Sequence, residues 1–356
     1  MLLIILFTVN IVVCILLNLL FKSVIYERRK VSEFLEKKIS THIGRKHGIA
    51  INSATDALYY SLKCYDIGPG DEVLVSDFSW ISSASCILMA GATPVFCDID
   101  LDSYHISFDE IKKKTTSKTK AIIYTHLFGN MTETQEIENY CKENNMVFIE
   151  DAAQSLGSTF KGKQTGTFFE LGCYSLYPGK VITSGEGGVV VTNNKKLYEK
   201  LQMIRNHGMI KGYDSKIFGL NLRLPEINAA IAKIQIKKLP KFIQSRRRNA
   251  KLLSDLLCDT KTKIPFEQKN EKFNWSLYTI AIKNRDSILK KLNSKGIGAA
   301  VYYPIPVHKI PIYKIKSKLT NTDWASKHVL SLPVHPNVSA KNVEYIAKTV
   351  RDLVNE

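Results

Sequence analysis

The sequence predicts an α/β fold in two parts, a large domain followed by a smaller one, and three observations carry that expectation. Between about residues 31 and 240, short apolar runs alternate with amphipathic stretches, the pattern of strands interleaved with helices. A chain of 356 residues exceeds one ordinary hydrophobic core, so its apolar residues are expected to divide between two. With 45% hydrophobic residues against only 19 Gly and 11 Pro, the composition excludes a disordered or fibrous protein.

Taken in order, the first expected strand is Gly48–Asn52, which runs directly into a helix over Ser53–Tyr65. Strand Glu72–Ser76, helix Ser79–Ala90 and strand Thr93–Asp98 follow. Strands Ala121–Thr125 and Met146–Glu150 flank a helix over Glu133–Asn145, and the apolar runs Gly172–Tyr177 and Gly188–Thr192 precede helix Lys195–Asn206. Leu224–Leu239 reads as a further helix, and Phe242–Leu257 as a long one leading out of the large domain. The smaller unit then holds strand Ser276–Ile282, helix Asp286–Lys295, strand Ala299–Tyr303 and a closing helix Ala340–Val354. These elements divide the chain into an apolar segment 1–21, a large domain 22–240 and a small domain 241–356.

Residues 1–21 carry only Thr8, Asn10 and Asn18 as polar side chains, a length that fits a membrane helix. A cleaved signal peptide is excluded, because a charged start, a shorter apolar stretch and a small-residue cleavage site are all missing. Two readings stay open. The run is either an anchor, with Lys22, Arg28, Arg29 and Lys30 holding the rest on the cytoplasmic face, or a buried helix or atypical start that replaces an ordinary segment. The net charge of +17 sits mostly in the last third, where 22 basic residues oppose 9 acidic ones from Lys241 onward. Those lysines are scattered and form no stripe with interleaved aromatics, so they read as a solvated surface and not as a nucleic-acid footprint. Seven cysteines without a Cys-x-x-Cys pair, and with no histidine at zinc-ligand spacing, point to no metal site and to a reducing compartment.

Four stretches at the ends of expected elements carry chemistry. Ser53 and Asp56 form a capping box, and the helix start at Ala54-Thr55 also offers amide N–H groups and a hydroxyl to an anion. Asp151 stands at the carboxyl end of the apolar strand Met146–Glu150, where ligands of open α/β sheets bind. Lys180 lies between Pro178-Gly179 and a glycine-rich turn with apolar neighbours, a setting in which a partly desolvated amine can attack an aldehyde. Gly219-Leu220-Asn221-Leu222-Arg223-Leu224-Pro225 is a turn that opens a helix.

Together these residues resemble the DegT/DnrJ/EryC1/StrS sugar aminotransferases, pyridoxal-phosphate enzymes of the aspartate-aminotransferase fold (fold type I). The resemblance runs from about Tyr26 to the C-terminus through Ser53–Leu58, Pro69–Val73, Gly91–Val95, Glu150–Gln154, Gly185–Gly188 and Asn221–Arg223, in the family's order. It implies a mostly parallel central sheet in the large domain and pyridoxal 5'-phosphate as cofactor. Lys180 matches the lysine that holds the cofactor and moves the proton, Asp151 the carboxylate facing the pyridine nitrogen, and Gln154 the partner of the ring hydroxyl. Trp80 matches the aromatic stacked on the ring, and Ala54, Thr55 and Ser175 the phosphate seat. Asn221 matches a phosphate ligand given by a neighbouring subunit, which implies a homodimer with a shared site. The implied substrates are an amino donor, glutamate, and a nucleotide-linked 3- or 4-keto-deoxysugar used in amino-sugar synthesis. Arg205, His207, Arg223, Tyr302, Tyr303 and His308 are candidate substrate residues.

Other functions compete with this one. The alternatives are an aminocyclitol-precursor aminotransferase, because Thr183–Gly188 resembles members acting on 4-keto sugars or aminocyclitol precursors, and a catalytically impaired, membrane-tethered family member, because the apolar segment stands where relatives carry a polar one. Dehydration of a sugar at carbon 3 would replace the lysine with histidine, against Lys180. A nucleotide-dependent oxidoreductase needs Gly-x-Gly-x-x-Gly after the first strand, where Asn52-Ser53-Ala54-Thr55 stands instead.

Overall fold

The computed structural model describes residues 30–209, 212–313 and 315–355. The expected apolar segment 1–21, and any membrane contact through it, lie outside the described residues. Among the described residues no helix is long and apolar enough to cross a membrane.

Helix α1 (Lys30–Ile43) leads into β1 (His47–Ile51), α2 (Ala54–Cys64), β2 (Glu72–Ser76), α3 (Ser82–Met89) and β3 (Thr93–Cys97). Then come α4 (Phe108–Lys114), β4 (Thr119–Thr125), α5 (Gln135–Glu143), β5 (Val147–Asp151), the short β6 (Thr159–Phe160) and β7 (Lys163–Gln164), β8 (Leu171–Ser175), β9 (Gly188–Thr192) and α6 (Lys195–Arg205). The chain closes with α7 (Glu226–Leu257), β10 (Glu271–Lys272), β11 (Tyr278–Ala281), α8 (Arg285–Ser294), α9 (Thr320–His328), β12 (Val329–Leu332) and α10 (Ala340–Asn355).

Seven strands form the main sheet in the order β1-β9-β8-β5-β4-β2-β3. Only β9 runs against its neighbours, and the pairs β2–β3, β2–β4, β4–β5 and β5–β8 are parallel. Both faces are covered, which is why the strands read as continuous apolar runs: β8 and β9 are buried at every position. One core cluster packs α2, α3 and α6 on one face, and another packs α1 and the first half of α7 on the other. A separate cluster joins Leu253 and Leu257 to β11, β12, α8 and α10.

Several expected elements differ from the observed ones. The two helices read over Leu224–Leu239 and Phe242–Leu257 are one helix, α7, with Pro240 inside it. Proline removes one helical N–H bond, but Leu239 and Ile243 on either side are buried, and that packing holds the helix through the gap. The strand expected at Ala299–Tyr303 is reduced to a single bridge between Ala300 and Ser331, and Pro304 and Pro306 just past it lack the N–H groups to continue a ladder. Helix α3 begins at Ser82 and not at Ser79, so Trp80 sits in the loop ahead of it. Helices α1, α4 and α9 and the small β10-β6-β7 sheet had no expected counterpart.

A buried histidine secures the loop that follows β4. His105 Nε2 accepts the Leu127 N–H at 3.2 Å, so its proton sits on Nδ1 and donates to Thr132 Oγ1 at 3.1 Å. Burial, helped by the neighbouring His126, pushes its pKa down to about 3. The unfolded chain therefore binds this proton near pH 6.5 while the folded chain does not. The stability this neutral ring permits is complete above pH 6.5 and lost as pH falls toward 3, by at most about 1.4 kcal/mol per pH unit. His105→Gln is expected to flatten this part of the acid slope, read as urea midpoints between pH 4 and pH 7.

Candidate active site

The carboxyl ends of β2, β4, β5 and β8 open onto one edge of the sheet, and the loops there enclose a cavity of about 390 Å³. Asp151, the last residue of β5, forms its buried floor. Its Oδ2 accepts from Ser83 Oγ at 2.8 Å and Thr125 Oγ1 at 3.4 Å, and its Oδ1 accepts the Ala153 N–H at 3.2 Å. Those donors fix the carboxylate's position.

Lys180 reaches the cavity from the turn between β8 and β9, which is pinned by its own N–H donating to the Tyr177 carbonyl at 3.0 Å. Burial pushes its ammonium below the usual lysine range, while the negative charge of Asp151 works in the other direction. Net burial makes the neutral amine more accessible than on an exposed lysine.

Gln154 is held at both ends of its amide. Oε1 accepts the Phe128 N–H at 2.9 Å, and Nε2 donates to Tyr303 Oη at 3.0 Å. Phe128 can aim its N–H there because it adopts the left-handed region at φ 62°, followed by Gly129 at φ 85°. A Cβ on Gly129 would lie 1.9 Å from Asn274 Oδ1, so this turn accepts only glycine.

The opposite end of the cavity is built for an anion. Ser53 caps α2, accepting the Asp56 N–H at 3.1 Å and donating to Asp56 Oδ2 at 2.9 Å. Ala54 and Thr55 follow as the first helical residues, where N–H groups have no partner within the helix, and Thr55 Oγ1 donates to Ser82 Oγ at 2.8 Å. Ser175, the last residue of β8, lines the same end and accepts the Tyr177 N–H at 3.3 Å. Gly188 opens β9 against this seat, and a Cβ there would meet the Ser53 carbonyl oxygen at 2.5 Å.

The cavity thus brings together Ala54, Thr55, Trp80, Asp151, Gln154, Ser175, Lys180, Tyr302 and Tyr303 of the residues singled out in the sequence. Trp80 is 58% exposed, with its ring 6.0 Å from that of Tyr303. Arg205 is placed elsewhere: its guanidinium is buried in an ion pair with Glu36 and donates to the Ala50 carbonyl at 2.9 Å. His308 is also turned away, buried against Asp77. His207, Asn221 and Arg223 lie exposed on a loop outside the cavity, where Arg223 donates to Asn206 Oδ1 at 2.7 Å. Ser83, Thr125 and Phe128 serve the site without having stood out. Nothing in their local sequence marks a serine, a threonine or a phenylalanine N–H as facing a carboxylate or an amide.

This donor set suits pyridoxal phosphate. Helix-start amides and hydroxyls face one end for a phosphate, a fixed carboxylate lies at the floor for a ring nitrogen, and a buried amine stands ready for an aldehyde. A family model described as the DegT/DnrJ/EryC1/StrS aminotransferase family matches residues 17–351. The UDP-N-acetyl-3-dehydro-alpha-D-glucosamine 3-aminotransferase of Acidithiobacillus ferrooxidans is 34% identical over 320 residues, covering 89% of this chain and 87% of its own. The dTDP-3-amino-3,6-dideoxy-alpha-D-galactopyranose transaminase of Aneurinibacillus thermoaerophilus is 33% identical, covering 90% and 89%. Among solved structures, S. venezuelae DesV superposes with a TM-score of 0.91 at 28% identity, covering 95% of this chain and 94% of that one.

Proposed function

We propose, from the premise that this chain belongs to the DegT/DnrJ/EryC1/StrS aminotransferase family, that it moves an amino group from glutamate to carbon 3 of a nucleotide-linked keto-deoxysugar. It is a pyridoxal-phosphate-dependent aminotransferase, and its fold is that of the family's sugar aminotransferases. The observation that carries the reading is the convergence of Lys180, Asp151 and Gln154 on one cavity with an anion seat at its far end. Carbon 3 is chosen over carbon 4 because the names of both relatives given above place the amino group at carbon 3; Tyr177-Pro178-Gly179-Lys180 resembles the members that act on 3-keto sugars, against the resemblance of Thr183–Gly188 to those that act on 4-keto sugars.

When bound, the cofactor supplies an electron sink and carries the amino group between the two substrates. The protein's residues do the rest. The Ala54 and Thr55 amides, with the Thr55 and Ser175 hydroxyls, hold the phosphate. Asp151 keeps the ring nitrogen protonated, with Ser83 and Thr125 orienting its carboxylate. Gln154 Nε2 keeps one hydrogen for the ring hydroxyl beside the one given to Tyr303. Trp80 covers the ring face. Lys180, with its ammonium disfavoured by burial, takes and returns the proton at the substrate carbon.

The site reads as one half of a homodimer. Asn221 is exposed, and so are the large apolar residues Phe218, Leu220, Ile227, Ile231 and Ile234 close to it in sequence, which suits contact with a neighbouring subunit. The spacing of the last three places them on one stripe of α7. Residues 241–356 act as the basic lid unit in this reading. The six described cysteines are free thiols, which supports work in a reducing compartment such as the cytoplasm.

The test is to supply glutamate with 3-keto and with 4-keto nucleotide sugars and to identify the product by mass and NMR. Amination at carbon 3 is expected, by a species of dimeric mass in light scattering. Amination at carbon 4 alone overturns the position, and turnover of neither sugar overturns the substrate class.

A further inference from the structure

The loop after β2 does two jobs at once. Asp77, the residue following that strand, is buried and takes three contacts from a segment some 230 residues further along the chain. Its Oδ1 accepts the His308 N–H at 2.7 Å, its Oδ2 pairs with His308 Nδ1 at 2.7 Å, and its backbone carbonyl accepts the Val307 N–H at 3.1 Å. Both side chains are sealed from water, with 0% and 3% exposure. Three residues beyond Asp77 the same loop presents Trp80 to the cavity, and four residues separate His308 from Tyr303, which faces Trp80 across it. Two of those four are Pro304 and Pro306, whose rings fix φ and make the connection a short stiff arm. On either side of His308, Val307 and Tyr313 anchor the arm in the main core, the Tyr313 ring lying 5.3 Å from that of Phe96.

We infer that Asp77 and His308 form a positioning pair that sets Tyr303 against Gln154, and through Gln154 sets the hydrogen bonding available to the cofactor's ring hydroxyl. The inference rests on the aminotransferase reading. Gln154 has two anchors, the Phe128 N–H and Tyr303 Oη. The first belongs to the large-domain loop and holds the amide's oxygen. The second fixes which way the amide hydrogens point, and it depends on an arm held in place by His308. A histidine at 308 that only filled space would have no reason to place both its backbone N–H and its ring Nδ1 on one carboxylate.

Three variants separate positioning from mere stability. His308→Asn keeps a donor near the place of Nδ1, His308→Leu keeps the bulk without it, and Tyr303→Phe removes only the hydroxyl that contacts Gln154. Hydrogen–deuterium exchange on the cofactor-free protein is the first readout, because it needs no bound group. Exchange in residues 299–310 is expected to rise several-fold in His308→Leu and to stay near wild type in His308→Asn, with β4 and β5 unchanged in both. The second readout is the absorbance maximum of the loaded enzyme. His308→Leu and Tyr303→Phe are expected to shift it in the same direction, and His308→Asn to restore it. The third is the kinetic split, with about a tenfold loss in kcat for His308→Leu and a smaller change in KM.

An unaltered maximum in both His308→Leu and Tyr303→Phe overturns the pair's role. So does an exchange increase spread evenly over the whole chain. If the exchange result holds but no cofactor band forms even in the wild type, the aminotransferase reading fails while the Asp77–His308 anchoring of the arm stands.

Discussion

Replacing Lys180 with alanine is expected to lower amino transfer by at least about 10³-fold, since in the proposed mechanism the side chain is both the amine that meets the aldehyde and the group that moves the proton. The size follows from the setting. Lys180 is the lysine that lines the cavity, burial disfavours its ammonium, and Asp151 is fixed by its three donors and cannot swing over to act as the base. Lys180→Arg should be nearly as inactive, because guanidinium keeps its charge at any pH the protein survives. Small primary amines added to Lys180→Ala should recover part of the rate by occupying the space the side chain left. Steady-state rates with and without added amine check this, and turnover within tenfold of wild type in Lys180→Ala would remove the lysine from its role.

The second large effect is on stability. Arg205→Met is expected to cost about 3–5 kcal/mol, because it strands Glu36 in the interior. Glu36 lies on α1, accepts the Ala50 N–H at 2.9 Å and pairs with Arg205 at the end of α6, so the pair ties two helices to strand β1. Burial already raises the Glu36 pKa above its ordinary value, with Arg205 pulling it down. Without that counter-charge the folded protein binds a proton there that the unfolded chain has released above about pH 4.5. Stability of the variant must then fall as pH rises, and its deficit against wild type should be larger at pH 8 than at pH 5. The double variant Glu36→Leu/Arg205→Met should regain most of the loss. Urea midpoints of the three proteins at both pH values check it, and a deficit that shrinks toward pH 8 would show that Glu36 does not carry the charge.

Arg205 also shows where sequence reading stops. A basic residue at the end of a helix, just before an exposed loop, looks substrate-facing, and its fate depends on a glutamate 169 positions earlier that no local pattern reveals. His308 was misplaced for the same reason, with Asp77 lying 231 positions away. What could be read were groups whose role is set by their position on an element. Asp151 ends a parallel strand, Ser53 caps a helix, and Lys180 lies between Pro178-Gly179 and a glycine-rich turn, so strand, cap and turn signals located all three. The central strands were legible because both faces of the sheet are covered, leaving unbroken apolar runs between turn residues. The left-handed Phe128 and the unbroken α7 were not, because tertiary packing there overrides local preference.

Helix α7 sets a rule for anyone recombining this chain with its relatives. At one end Glu226 receives the Val31 and Ser32 N–H groups of α1, and at the other Leu253 and Leu257 enter the C-terminal cluster. Its 32 residues span about 48 Å at 1.5 Å each. A helix that spans both cores is also a phase reference. Deleting a single residue near its middle turns everything beyond it by about 100° and draws it in by about 1.5 Å, swinging Leu253 out of its cluster. Crossovers within α7 must therefore preserve residue count exactly, whereas the same indel in the loop after Leu257 would leave the helix's phase untouched.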